Sequence, residues 1–369
     1  MLFTADLKEI TKREESEEKA MKQVSLVLIL ILLLTLGTPV FGEGDTDYLS
    51  VSDAEQTENE METLENNGSK EDSSQNQTEY IGAVPEEYFT SSDHPGRIEE
   101  ITYESRDYTD AGETRIEKTA YVYLPYGYDE GDSETKYNIF YLMHGWTMTA
   151  GDFFNDSQSG IVNMLDHMIE KGDIPPMIVV CATFDAQNAP QGFTRSVDEL
   201  SVFHRDLRDN LIPYIEGRYH TYAEGTSKEA LLESRDHRAF GGFSLGAVTT
   251  WYQFIYNLDY IRYFLPMSGD CWIEGTYGGL YYPVETVDAL KETVTDSGWE
   301  ESDFRIYQGI GTSDPIWDQT DSQIQEMFTR DMFTPSNLHY AIIEGGRHDI
   351  NACEQYIYHG LLDFFGETA

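Results

Sequence analysis

Two rhythms alternate along the chain from Arg97 to the C-terminus. "RIEEITYES" and "TAYVYLPY" are rich in β-branched and aromatic residues and predict a pair of antiparallel strands. "YNIFYLMHG" and "PPMIVVCATFD" are unbroken apolar runs, as strands buried on both faces require. Between them, "GIVNMLDHMIEKG" has helical spacing and a glycine stop. "VDELSVFHRDLRDNLIPYIEGRY" predicts a long amphipathic helix that Pro213 must bend or interrupt. The same exchange then repeats to the end of the chain. Strands are predicted in "HRAFGGFS", "IRYFLPMSGD", "DFRIYQGIGTSD" and "LHYAIIEGGRHD". Helices are predicted in "LGAVTTWYQFIYN", "ETVDALKETVTDSG", "DSQIQEMFTRDMF" and "ACEQYIYHGLLDFF". Such alternation predicts an α/β fold, a mostly parallel central sheet with helices on both faces. Functional loops then belong at the carboxyl ends of the strands.

The first 84 residues follow neither rhythm. From Met21, "MKQVSLVLILILLLTLGTPVFGEGDTD" places a lysine before a continuous apolar stretch and a helix-breaking "GTP", the layout of a secretory signal peptide. Val24 to Phe41 is nearly long enough for a membrane anchor, but the small residues favour cleavage after Gly42. No cysteine follows the run, so no lipid anchor is indicated. Residues 1–42 are therefore read as an extra N-terminal segment plus signal peptide, with Met21 a candidate start. Residues 43–84 are acidic, polar and without period, which predicts a disordered linker. Residues 85–369 are left as one large folded domain.

Composition narrows the classes of partner. A formal net charge of -43 opposes binding to nucleic acid and to anionic lipid, and serves solubility. The cysteines, Cys181, Cys271 and Cys353, are too few and too scattered for a disulfide framework, although one bridge is open to a secreted protein. Neither they nor the histidines have metal-ligand spacing, so no metal and no cofactor are indicated.

The candidate chemistry centres on "GGFSLGA". A G-x-S-x-G pentapeptide proves little alone, but Ser244 falls where a predicted strand ends and a predicted helix begins. That setting is what a nucleophile elbow requires. Gly242 and Gly246 would allow the sharp turn. A serine hydroxyl needs a base, and the base an orienting carboxylate, in the chain order Ser, acid, His. "GIGTSDPIWDQ" and "IIEGGRHDINA" supply Asp314 and His348 directly after predicted strands. Asp318 and Asp270 are rival acids, and Asp314 is favoured as closest to its strand end. His339 falls within a strand pattern and His359 within the last helix. Two amides are candidates for an oxyanion hole, Leu245 after the serine and Trp146 after "YLMHG". His144 precedes the serine and is expected to brace its loop.

In order, "VYLPYGYD", "YLMHG", "HRAFGGFSLGA", "FLPMSGD", "GTSD" and "GGRHD" resemble esterase D-like α/β-hydrolases. Within these the chain is similar to the feruloyl and acetylxylan esterases of carbohydrate esterase family 1. The resemblance implies an α/β-hydrolase fold, a Ser244–Asp314–His348 triad and an oxyanion hole of Leu245 and Trp146 amides. It also implies a secreted serine esterase acting on plant cell-wall polysaccharide esters. Feruloyl ester hydrolysis is the first expectation. Acetylxylan deacetylation, acyl transfer and non-catalytic carbohydrate binding are the alternatives. Trp272 and Trp317, on predicted loops of the same face as Trp146, are expected to contact an aromatic acid or sugar rings.

Overall fold

The computed structural model of the chain describes residues 78–155 and 157–366. The predicted signal peptide, the alternative start and most of the predicted linker lie outside the described residues.

The strands are β1 (Thr78–Tyr80), β2 (Arg97–Arg106), β3 (Arg115–Leu124), β4 (Asn138–Met143), β5 (Met177–Ala182), β6 (Arg238–Phe243), β7 (Tyr263–Met267), β8 (Arg305–Gly311) and β9 (Leu338–Ile343). They form a nine-stranded sheet in the order β1-β9-β8-β7-β6-β4-β5-β3-β2. Every pairing is parallel except those that β3 makes with β2 and β5. This is the predicted α/β architecture, with the antiparallel pair leading in at one edge.

The helices are α1 (Ile161–Lys171), α2 (Phe193–Asp206), α3 (Ile212–Glu216), α4 (Lys228–Glu233), α5 (Leu245–Asn257), α6 (Gly278–Tyr281), α7 (Pro283–Ser297), α8 (Trp317–Met327) and α9 (Ile350–Phe365). They cover both faces of the sheet. On one, Phe140, Leu142, Val179 and Cys181 pack with Met164, Leu165 and Met168 of α1 and Tyr356, Ile357 and Leu361 of α9. The two-residue period of a strand turns Tyr141 to the other face, where its hydroxyl donates to Glu216 of α3 at 3.2 Å.

Two expectations are corrected, and a third, the interruption at Pro213, is given its form. The fold begins by Thr78, inside the predicted linker, because β1 adds to the sheet edge along β9. Ile81 donates its N–H to Ile342 O at 2.9 Å, and Ile81 and Val84 are buried. The single long helix is two helices joined by a π turn at Leu207–Leu211, just before Pro213. A proline ring clashes with the carbonyl four residues back and offers no N–H, and the widened turn relieves both. Finally, α8 starts at Trp317, four residues ahead of its predicted start at Asp321. Cys181, Cys271 and Cys353 are buried free thiols.

Candidate active site

β6 is buried at every position and ends at Phe243; α5 starts at Leu245. The one residue between them is Ser244, with φ 58 and ψ -117. An L-residue held there costs of order 1–3 kcal/mol, which the surrounding packing must impose. The glycines explain how it does so. A Cβ on Gly242 would stand 2.5 Å from Gly246 O, and one on Gly246 would collide with the Met143 carbonyl. The elbow is thus pressed against the end of β4. Ser244 donates its N–H to Met267 O at 2.9 Å, tying the turn to β7 as well.

Asp314 and His348 come from the loops after β8 and β9. His348 Nδ1 lies 2.9 Å from Asp314 Oδ2 and 3.1 Å from Oδ1. A carboxylate only accepts, so Nδ1 carries the proton and Nε2 is left as an acceptor. The Asp314 side chain is 0% exposed and that of His348 26%, so the acid is sealed while the base is open to a substrate. The Ile316 N–H also donates to Asp314 Oδ1, at 3.0 Å. The imidazole sits 4.5 Å, centroid to centroid, from the ring of Phe243, the residue before the serine. Backbone bonds join the two loops: Thr312 N–H to Ile343 O and Ser313 N–H to Gly346 O, both 3.0 Å. The crossing is so close that a Cβ on Gly311 would collide with the Gly346 backbone. Neither rival acid meets the histidine: Asp318 is exposed on the first turn of α8. Asp270 is buried and accepts from Trp272 Nε1 at 2.8 Å and from the Gly279 N–H at 2.9 Å. Burial pushes the Asp270 carboxyl up to about 6, against the pull of those two hydrogen bonds. His339 pairs with Asp363 at 2.7 Å, and His359 with Gly82 O at 2.9 Å.

Leu245 is the first residue of α5, so its N–H is among those that a helix leaves without an internal partner. Gly145 brings the loop after β4 onto the serine, since a Cβ there would stand 3.2 Å from Ser244 Cβ. Trp146, the other expected amide, follows at once. His144 is buried behind this loop, and burial pushes its imidazole down to about 4, so it is neutral. Among the described residues no group of three or more His, Cys, Asp or Glu could hold a metal ion.

An aromatic wall links the loop after β4, whose Gly145 approaches Ser244, to the start of α2 and the loop after β7. The Trp146 ring is 5.2 Å from Phe193, Phe193 is 6.3 Å from Trp272, and Trp272 is 5.2 Å from Tyr277. Two hydrogen bonds fix the indoles, Trp146 Nε1 to Gln191 O at 3.0 Å and Trp272 Nε1 to Asp270. Phe193, at the start of α2, escaped the sequence analysis because it lies four residues ahead of the predicted helix start at Val197. Only its position after Gly192, in a loop following a strand, pointed towards the site. Trp317 is not part of this wall: it begins α8, and its ring lies 6.3 Å from Tyr340 on β9.

The Esterase family model matches residues 112–362, well over half of the chain. The chain belongs to the Esterase family. This esterase is 34% identical over 291 residues to endo-1,4-beta-xylanase Y of Acetivibrio thermocellus. The match covers 77% of this chain and 24% of the relative. It is 28% identical over 221 residues to an endo-1,4-beta-xylanase/feruloyl esterase of Xylanibacter ruminicola, covering 58% of this chain and 26% of that one. This esterase therefore spans about a quarter of the length of the curated relatives it matches. In structure it is similar to the feruloyl esterase module of Clostridium thermocellum, a serine-to-alanine variant solved with sinapinate. There the TM-score is 0.67 and the identity 32%, over 78% of this chain and 94% of that one. The esterase thus has the α/β-hydrolase fold.

Proposed function

We propose that this esterase is a secreted feruloyl esterase that hydrolyses hydroxycinnamate esters on plant cell-wall polysaccharide, with Ser244, His348 and Asp314 as its triad. The observation that carries the reading is the strained Ser244 at a strand–helix turn: the ring of Phe243 before it packs on the carboxylate-backed His348, and Gly145, next to Trp146, closes on its Cβ. The sinapinate complex of a module 32% identical supports the choice of acyl group, since sinapinate is a planar aromatic acid. Secretion rests on the apolar stretch from Val24 to Phe41 behind Lys22.

In this mechanism His348 Nε2 takes the Ser244 proton as Oγ attacks the ester carbonyl, and Asp314 stabilises the imidazolium. The Leu245 and Trp146 amides receive the developing oxyanion, at a helix N-terminus where the backbone already favours negative charge. The sugar alcohol leaves with the proton returned by His348. Water then releases the acid from Ser244 by the same two proton transfers. The aromatic wall holds the acyl ring, each such contact contributing about 0.5–1.5 kcal/mol beyond burial.

Turnover on methyl ferulate, acetylated xylan and a nitrophenyl acetate tests this. Methyl ferulate is expected to give the highest kcat/KM, with free ferulic acid released in buffer. Ser244→Ala is expected to lose at least about 10³-fold on every ester while melting as the wild type does. Trp272→Ala should weaken ferulate turnover more than that of the short ester. A clear preference for acetylated xylan overturns the acyl assignment. A Ser244→Ala variant that keeps a tenth of the activity overturns the triad.

A further inference from the structure

The loop after β4 contains a histidine that touches no reacting atom, yet its hydrogen bond falls on the peptide that matters most. His144 Nδ1 lies 2.8 Å from Gly145 O. A carbonyl only accepts, so Nδ1 carries the proton. That carbonyl and the Trp146 N–H are the two ends of one peptide unit, planar and pointing opposite ways. The same oxygen also accepts the Met148 N–H at 3.3 Å, across a turn in which Thr147 has φ 69. Both acceptor positions of the carbonyl are occupied, so the peptide cannot turn over without losing two hydrogen bonds.

The far side of the ring fixes its tautomer. His144 Nε2 lies 2.8 Å from Thr183 Oγ1, and Thr183 Oγ1 in turn accepts the Asp185 N–H at 3.0 Å. The Thr183 hydroxyl proton therefore goes to Nε2, and the imidazole proton stays on Nδ1. Phe184 packs on the ring at 4.7 Å, and His144 is 1% exposed. Thr183, Phe184 and Asp185 directly follow β5, so the tail of one strand sets the loop of its neighbour.

Resting on the triad reading above, we propose that His144 is a positioning residue of the oxyanion site: by holding the Gly145 carbonyl it fixes the Trp146 N–H in the orientation that receives the oxyanion. Thr183 acts through His144, by holding the donor tautomer. Neither His144 nor Thr183 belongs to the aromatic wall, so the effect is expected in the transition state and not in substrate binding.

Two replacements separate this from a packing role. His144→Asn keeps an N–H donor near the place of Nδ1; His144→Leu fills the space and donates nothing. On nitrophenyl acetate, which needs the oxyanion site but not the aromatic wall, His144→Leu is expected to lose about 10²-fold in kcat with KM within about threefold. His144→Asn should recover at least about tenfold of that loss, and Thr183→Val should lose about tenfold or less. Affinity for phenylboronic acid, which forms a tetrahedral adduct on Ser244, should fall in step with kcat, while affinity for ferulic acid stays unchanged. The boronate titration reads the site without turnover. Equal kcat in the Leu and Asn variants, or a loss seen only as a lower melting temperature shared by both, overturns the proposal. If Ser244→Ala keeps its activity, the triad reading fails instead. That outcome is read in a different variant, and so is told apart from a failure of the His144 proposal alone.

Discussion

β6 has a charged residue at one end and a strained one just past the other, and the two ends are built on opposite terms. Arg238, its first residue, is 0% exposed and uses every donor it has. Nε and one terminal nitrogen meet Glu216 Oε1 and Oε2 at 2.6 and 2.8 Å. The remaining bonds reach Ser234 Oγ at 2.7 Å, Leu231 O at 3.0 Å and Tyr260 O at 2.5 Å. Glu216 is filled as well, by the Tyr141 and Thr221 hydroxyls at 3.2 and 3.1 Å. At the other end Ser244 is strained and half-exposed, and the adjoining helix N-terminus leaves its first amides to a ligand. Saturation makes the first end rigid; what is left unsaturated at the second is available for chemistry. A strand anchored at one end can hold a strained residue at the other.

Breaking each end should therefore give different losses. The largest is expected for Asp314→Asn, which removes the carboxylate behind His348: about 10³–10⁴-fold in kcat with little change in melting. Asp318→Asn and Asp270→Asn, compared at matched folding, should each lose far less, and a larger defect in either would reassign the acid. Next comes Arg238→Met, which strands the buried Glu216 carboxylate. Denaturant unfolding should show a loss of about 3–5 kcal/mol, with kcat per folded molecule unchanged. A fall in kcat without a fall in stability would mean that the two ends are not separable.

The smallest effect sharpens the comparison through pH. Asp270 is buried past the carboxyl end of β7, and its folded carboxyl is pushed up to about 6 from the usual 3.8. Folding therefore favours the protonated form. Its contribution is fully present below about pH 4 and is lost as pH climbs to about 6. Asp270→Asn lacks this titration. Between pH 4 and 7 the wild type should lose about 3 kcal/mol more stability than the variant. Parallel stability curves would show that the carboxylate is fully compensated by Trp272 and Gly279, as Glu216 is by Arg238.

Part of this esterase was legible in short stretches. The strand runs of β4 and β5, the glycine stop of α1 and the strand–turn–helix around Ser244 are local signals, written within a dozen residues each. Pairing of distant groups was not. Three acids stood open for His348, and only the crossing of the loops at Gly311 and Gly346 shows that Asp314 meets it. The helix break before Pro213 was foreseen, but not its form as a π turn.

What the sequence by itself determined is the alternation of buried strands and amphipathic helices, and hence a parallel sheet with its loops gathered at one end. It also determined which residues have the chemistry for acyl transfer. These follow from side-chain type and near-neighbour spacing, which the chain carries wherever it lies. Only the tertiary structure decided that Thr78–Tyr80 closes the sheet edge, that Phe193 joins Trp146 and Trp272 while Trp317 turns to Tyr340, and that His144 holds the Gly145 carbonyl. Each of these depends on contacts between segments far apart in the chain. Direction and distance between such segments are set by how the strands pack, and no local pattern records them.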